Sequence, residues 1–311
     1  MNLKENKNDG DIDFKDLFRA LWNGKWVILS ITTIASILVV IYALSLPNIY
    51  KSSTLLAPAS SSNSSLSGLA SQYSDMASLA GISIPSSGEA DKVSIGLEVL
   101  KSYDFFEKIM SKDNLFFKLV APSGWNAANN TLIIDPEIYN MQTQKWVSKA
   151  MFATNGKPSM QSSYRQFTSD FSVAKDSKTG FITLSFNHYS PHVAKEFLDI
   201  IILETNELAR AEDIAIAKDT ISYLQEEASK VQLSMVKNGI NNMIQRQVET
   251  ISIATATPQY LFKILSKPLV SERKSQPGRA FICIIGFLFG VISSIFLVLV
   301  RHYFFRQNQT T

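Results

Sequence analysis

Cysteine is nearly missing from this sequence of 311 residues: its one thiol, Cys283, sits inside a long apolar run near the C-terminus. That excludes a disulfide framework and any cysteine-based zinc site, and it suits an oxidising compartment. Histidine is almost as scarce. His188 and His192 stand four apart, but a strand-to-helix junction with Pro191 separates them, which favours capping or solvated roles over a metal pair; His302 lies far away. The phosphate-cradling pattern G-x-x-x-x-G-K-[ST] is absent, and Asn155-Gly156-Lys157-Pro158 lacks its first glycine and its helix. H-E-x-x-H and G-x-S-x-G are absent too. Asp135 and Glu137 form a lone acidic pair on a loop, better read as turn residues than as a glycosidase dyad. The sequons at Asn63 and Asn129 arise readily by chance in Ser- and Asn-rich text. Charge is sparse as well, with a formal net value of +3 and no dense basic run, so a nucleic-acid footprint is missing. These absences point away from catalysis, cofactors, metals and nucleic acid.

Apolar residues are concentrated near the two ends. Residues 27–46, VILSITTIASILVVIYALSL, carry no charge, and neither do residues 280–300, AFICIIGFLFGVISSIFLVLV. At 1.5 Å per residue each spans roughly 30 Å, one hydrocarbon core. The first is too long and starts too late for a cleaved signal peptide, whose apolar core is shorter and ends at small residues. Trp22, Trp26 and Tyr50 flank the first run and Tyr303, Phe304 and Phe305 follow the second, as interfacial aromatics do. Lys4, Lys7, Lys15, Arg19 and Lys25 precede the first run and only Lys51 closely follows it, which places the N-terminus in the cytoplasm. Two spans then return the C-terminus there with Arg301 and Arg306, although Lys263, Lys267, Arg273, Lys274 and Arg279 precede the second run on the outer side. The expected order is a cytoplasmic arm (1–26), a span (27–46), an outer domain (47–279), a span (280–300) and a cytoplasmic tail (301–311). In the arm, Phe14, Leu17, Phe18, Leu21 and Trp22 fall on one helical face, either as a surface-lying amphipathic helix or as an extension of the span.

In the outer region, residues 50–57, 180–187 and 259–265 read as strands able to share one sheet beside the membrane. Residues 60–67 are a Ser- and Asn-rich loop, residues 71–81 are weakly helical, and residues 85–88 form a break. Helical text resumes at Asp91, and residues 121–158 are rich in loops. Ser190-Pro191 then opens a long helix with a cap and a first-turn proline. Lys237-Asn238-Gly239 is the expected break, giving a long helix over about 191–237 and a returning helix over about 240–256. Leu208, Ala211, Ala215, Ile221, Leu224, Ala228 and Val231 mark a stripe at three- and four-residue steps. Such a stripe needs a partner. The same helix in another copy is the simplest one; packing within the chain is the alternative. Pro268 and Pro277 stiffen a lead-in over 266–279. Gly286 and Gly290 form G-x-x-x-G in the second span, a close-packing motif that agrees with self-association.

Taken together, the sequence resembles the Wzz-type chain-length determinants, or polysaccharide co-polymerases, of Gram-negative bacteria. The resemblance rests on Asp13-Phe14-Lys15-Asp16-Leu17 with Trp22 and Lys25-Trp26, Pro47-Asn48-Ile49-Tyr50, and SLAGISIPSSGEADKVSIGLEVLKS over 78–102. Thr179-Gly180-Phe181 through Tyr189-Ser190-Pro191, Tyr260-Leu261-Phe262-Lys263, Pro268, Pro277-Gly278-Arg279 and the glycines of the second span complete it. It implies an α+β membrane protein of the inner membrane, with two transmembrane helices flanking a periplasmic α/β domain that carries a long protruding helix. It implies a ring-like homo-oligomer without catalysis or cofactor that sets the length of a surface polysaccharide, typically O antigen. Its partners would be the membrane polymerase, the growing polysaccharide and the bilayer. The lead-in and second span, here Pro268, Pro277, Arg279, Gly286 and Gly290, would matter for that role, although prolines are fewer here than in the fullest versions of the motif. A co-polymerase for capsule or exopolysaccharide export is the alternative; the short tail lacks the kinase domain and Tyr cluster of those relatives. A sensor would need a signalling module inside, which the tail does not supply.

Overall fold

The computed structural model describes residues 21–59, 89–112, 114–150 and 152–307. The expected amphipathic arm before Leu21, the Ser-rich loop, the weak helix over 71–81, the break over 85–88 and the end of the tail lie outside these residues. The chain falls into two compact units, one with the two terminal helices and one running from Ile49 to Lys274.

In the terminal unit, helices α1 (Lys25–Ser45) and α8 (Arg279–Gln307) are each long and apolar enough to cross a bilayer. Only 11% and 17% of their most apolar windows are buried. A core helix of a soluble protein would be covered by its neighbours; these two are not, so their apolar surface matches lipid as solvent.

The central unit is built on an antiparallel sheet in the order β6–β7–β1–β8, from β1 (Ile49–Pro58), β6 (Phe171–Lys175), β7 (Ile182–His188) and β8 (Phe262–Ser266). The three strands read from sequence are therefore neighbours; β6 was hidden because Phe171-Ser172-Val173 is too short to show alternation by itself. The register sets Ser52 opposite Phe186, Thr54 opposite Leu184 and Leu56 opposite Ile182, and all six are buried. With a side-chain period of two, these residues form one face. A further short strand, β9 (Lys274–Gln276), follows β8.

Helix α6 (Pro191–Lys230) covers that face with its first four turns. Val193, Ala194, Phe197, Leu198, Ile201 and Ile202 are buried at three- and four-residue steps, and Phe197 stacks on Phe186 at 4.4 Å between ring centroids. Ser190 caps the helix by accepting from the Val193 N–H, and Pro191 starts it. Before the sheet closes, α2 (Glu89–Val99), α3 (Tyr103–Met110), α4 (Leu115–Val120) and α5 (Met160–Asp170) add apolar faces to the same core. Ser102 and Ser159 cap α3 and α5. Phe106, Phe167, Phe186 and Phe197 form a continuous aromatic string through it. Two small hairpins, β2 (Pro122–Asn126) with β3 (Thr131–Ile134) and β4 (Tyr139–Asn140) with β5 (Lys145–Trp146), occupy the region read as loops.

Beyond residue 206, α6 leaves the core. It ends at Lys230, and α7 (Ser234–Ala256) returns beside it. The turn is Val231–Leu233, not Lys237–Gly239: Gly239 lies inside α7, with open space around it. Val231 and Leu233 are extended and no left-handed residue is needed, so this turn requires no glycine.

His188 joins β7 to α6. Its Nδ1 accepts from the Ser190 N–H at 3.0 Å, and its Nε2–H donates to the Lys118 carbonyl at 2.9 Å. Both ring nitrogens are thereby used by the backbone, which leaves no lone pair for a metal. Burial holds its pKa down at about 4. The neutral ring belongs to the folded state, so stability is full above the unfolded value near 6.5 and declines as pH falls toward 4, by on the order of 3 kcal/mol. Asp170, pushed up to about 6 by burial, acts with the opposite sign in the same window. The comparison of denaturation midpoints between wild type and His188→Asn at pH 7 and pH 4.5 isolates the histidine: the wild type should lose more stability on acidification than the variant.

Candidate functional site

The two terminal helices meet through small residues. A Cβ placed on Gly286 would sit 2.5 Å from the Val39 methyls, and one on Gly290 would sit 3.0 Å from the Ala35 Cβ. Thr32 Oγ1 and Ser294 Oγ share a hydrogen bond at 3.3 Å, with both residues buried. The pairs 32/294, 35/290 and 39/286 ascend one helix as they descend the other, which is an antiparallel seam. Above it, Arg279 donates to the Leu46 carbonyl at 2.9 Å, just past the end of α1, and to Asn48 Oδ1 at 3.3 Å. A cation at the helix C-terminus is favoured by the dipole and by the unpaired carbonyls there. The G-x-x-x-G face, read from sequence as a close-packing motif, meets α1 of the same chain.

The lead-in is anchored at Pro268, which is buried at the end of β8. Thr54 donates to the Ser266 carbonyl at 2.6 Å and Ser52 to the Leu269 carbonyl at 2.8 Å. These buried hydroxyls on β1 replace ladder bonds where the β1–β8 register slips between Leu55 and Leu56. Pro268 thus ends a strand rather than offering an exposed contact, whereas Pro277 is only half-buried.

The base of the helical hairpin is clamped by Asn206. Its carboxamide oxygen accepts from the Leu261 and Phe262 N–H groups at 2.8 and 2.9 Å, and its nitrogen donates to Ile202. Asp213, about two turns further on, accepts from Lys92 at 2.8 Å and from the Tyr260 hydroxyl at 2.5 Å. Burial and that carboxylate raise the Tyr260 pKa. The buried Glu204 carboxylate is paired with Lys112 and, at 3.7 Å, Lys108. Gly96 lets α2 approach: a Cβ there would be 2.5 Å from Leu261.

The stripe divides. Leu224 is buried with Ala217, and Ile221 and Ala228 are half-buried on the same arc, facing α7, whose Ala254 is fully buried. Leu224 was expected to face another copy and is satisfied within the chain instead. Val231 lies in the turn. Ala211 and Ala215 are exposed on the side away from α7, next to Leu208, which leans on the core. The sequence reading missed their neighbours Ile216 and Tyr223, seven apart and 56% and 62% exposed. Their signal was the seven-residue spacing, repeated on α7 by the exposed Val236 and Met243.

Two substitutions test these assignments. Asn206→Ala strands two buried N–H groups and should cost about 2–4 kcal/mol in a denaturation measurement. In a protein with Cys283→Ser, the pair V39C and G286C should oxidise to a bond within one chain and leave the mass on a non-reducing gel unchanged; a dimer band would assign the glycine face to a second copy.

Residues 10–112 match the family model "Wzz: Chain length determinant protein". That range takes in α1, β1, α2 and α3, with the Ser102 cap. No curated protein matches the chain. Among solved structures, a full-length bacterial polysaccharide co-polymerase is 14% identical over 95% of this chain and 99% of its own, with a TM-score of 0.39. A fragment of WzzB, a polysaccharide co-polymerase from Salmonella Typhimurium, is 11% identical over 74% of this chain and 100% of its own, with a TM-score of 0.31. Over residues 10–112, about a third of its length, this chain is similar to the Wzz chain length determinant family.

Proposed function

We propose that this protein sets the modal length of a surface polysaccharide, the O antigen of lipopolysaccharide, as a non-catalytic scaffold for the membrane polymerase. On this reading the two apolar helices cross the bacterial inner membrane, both termini are cytoplasmic, and Ile49–Lys274 stands in the periplasm. The Lys and Arg bias before α1 supports that orientation. The observation that carries the reading is the Wzz match over residues 10–112. Two features of the site agree with it. Paired spans with a buried seam give a fixed platform in the membrane. A helical hairpin whose outward arc holds Ala211, Ala215, Ile216 and Tyr223 offers a surface that a second copy would cover. Packing through that arc repeats the same contact from copy to copy, which closes a ring if the rotation closes. A ring biases release of the growing chain by holding polymerase and polymer together, and needs no acid, base or nucleophile of its own.

The test is a gel of surface polysaccharide from a strain lacking the gene and from the same strain complemented. Loss of the long-chain cluster to a smooth decay, restored on complementation, is the expected result. A ladder of unchanged shape with reduced total polymer would assign the protein to synthesis or export of a capsule-like polymer instead.

A further inference from the structure

Within the central unit, a cleft of about 640 Å³ opens between α4 and the β4–β5 hairpin. Its walls are Phe117, Tyr139 and Trp146. Their rings meet edge to face, with centroids 4.9 Å apart for Phe117 and Tyr139, 5.2 Å for Tyr139 and Trp146, and 6.0 Å for Phe117 and Trp146. Each is only half-buried, so the rings hold one another in fixed planes while keeping surface toward the cleft. Its rim carries the carboxamides of Asn114 and Gln144, which make no side-chain hydrogen bond among the described residues. The Lys157 ammonium lies 4.6 Å from the centroid of the Phe116 ring, with no carboxylate partner among the described residues.

The backbone around the cleft is held in unusual conformations. Asn114 and Gln144 both have left-handed φ, at 56° and 53°. Asn tolerates that region; Gln does so at a cost. Asn140 secures the tip of the Gln144 turn by accepting from the Gln142 and Thr143 N–H groups. Gly156, at φ 76°, lays the turn that carries Lys157 against the Trp146 carbonyl, where a Cβ would come within 2.2 Å. Left-handed non-glycine residues recur at ligand clamps, where fixed geometry is worth its strain.

We infer that this cleft is a saccharide-binding site that takes a short stretch of the polymer whose length the protein governs, an inference that rests on the proposed function. A pyranose has an apolar C–H face and an equatorial rim of hydroxyls. Half-exposed ring planes suit the first. Unpaired carboxamides, each with donors and an acceptor, suit vicinal hydroxyl pairs. The volume lies within the usual range of small-ligand sites. Among the described residues no lining side chain is acidic, so a cationic ligand has no counter-charge, and one lysine with two amides lacks the charge density for phosphate recognition. Lys157 gives the site a preference for sugars bearing a carboxylate on the Phe116 side.

The experiment uses the full-length protein in lipid nanodiscs and oligosaccharides released by mild acid from the surface polysaccharide of the same bacterium. Saturation-transfer NMR should show transfer to the sugar ring protons above that from empty discs. Trp146→Ala and Gln144→Ala should each cut it at least five-fold, with circular dichroism unchanged; Gln144 is exposed, so its variant reports on binding even where Trp146→Ala unfolds. No transfer above empty discs, or wild-type transfer in Gln144→Ala and Lys157→Gln together, overturns the site. Transfer to a proline-rich peptide but not to the oligosaccharide overturns it too, and reassigns the cleft to a protein segment. The gel of the deletion strain separates the two readings. A collapsed ladder without sugar binding removes the cleft alone; sugar binding with an unchanged ladder removes length control and leaves the cleft.

Discussion

The carboxamide of Asn206 holds the central unit together where α6 passes from core to solvent. When the chain comes back from α7, the Leu261 and Phe262 N–H groups are buried at the start of β8 and need an acceptor. Asn206 supplies it and is itself tied back to Ile202. From that point the helix has two jobs. Its first four turns fill the sheet face around Phe197, and the remainder, about 36 Å at 1.5 Å per residue, runs on with α7 beside it. Without the clamp the hairpin would still be helical, but two buried N–H groups at the start of β8 would lose their acceptor.

The terminal unit solves a different problem. Between lipid-exposed helices the hydrophobic effect supplies little attraction, so close contact and hydrogen bonds must do so. Gly286, Gly290, Ala35 and the Thr32–Ser294 bond supply both, and Arg279 closes the end of α1. The glycine face is thereby used within one chain.

Much of this was legible in the sequence because it is periodic. The two apolar runs, the alternation of Phe181–Phe186 and the Ser190-Pro191 helix start all carry signals that depend on neighbours in the chain. What escaped depends on neighbours in space. The turn at Val231–Leu233 uses no glycine, so Gly239 was a false marker. The stripe was a single band in sequence, and only the returning α7 shows that Leu224 lies on its covered side while Ala211 and Ala215 lie on the open side. The glycines of α8 announced close packing but not the identity of the helix they meet. Tyr139 and Trp146 sit on two-residue strands, with Gln144 in the turn between them, too short for any period to reveal.

The central claim is that copies associate through the open arc of the hairpin and that this association sets chain length. Mass photometry of the full-length protein in nanodiscs, beside polysaccharide gels from cells making equal amounts of wild type and the Ile216→Asp, Tyr223→Asp double variant, tests it directly. The account predicts a discrete oligomer for the wild type, a shift to single copies for the variant, and loss of the modal band with it. A variant that falls to single copies yet keeps the modal band, or a wild type that is already a single copy, would contradict it.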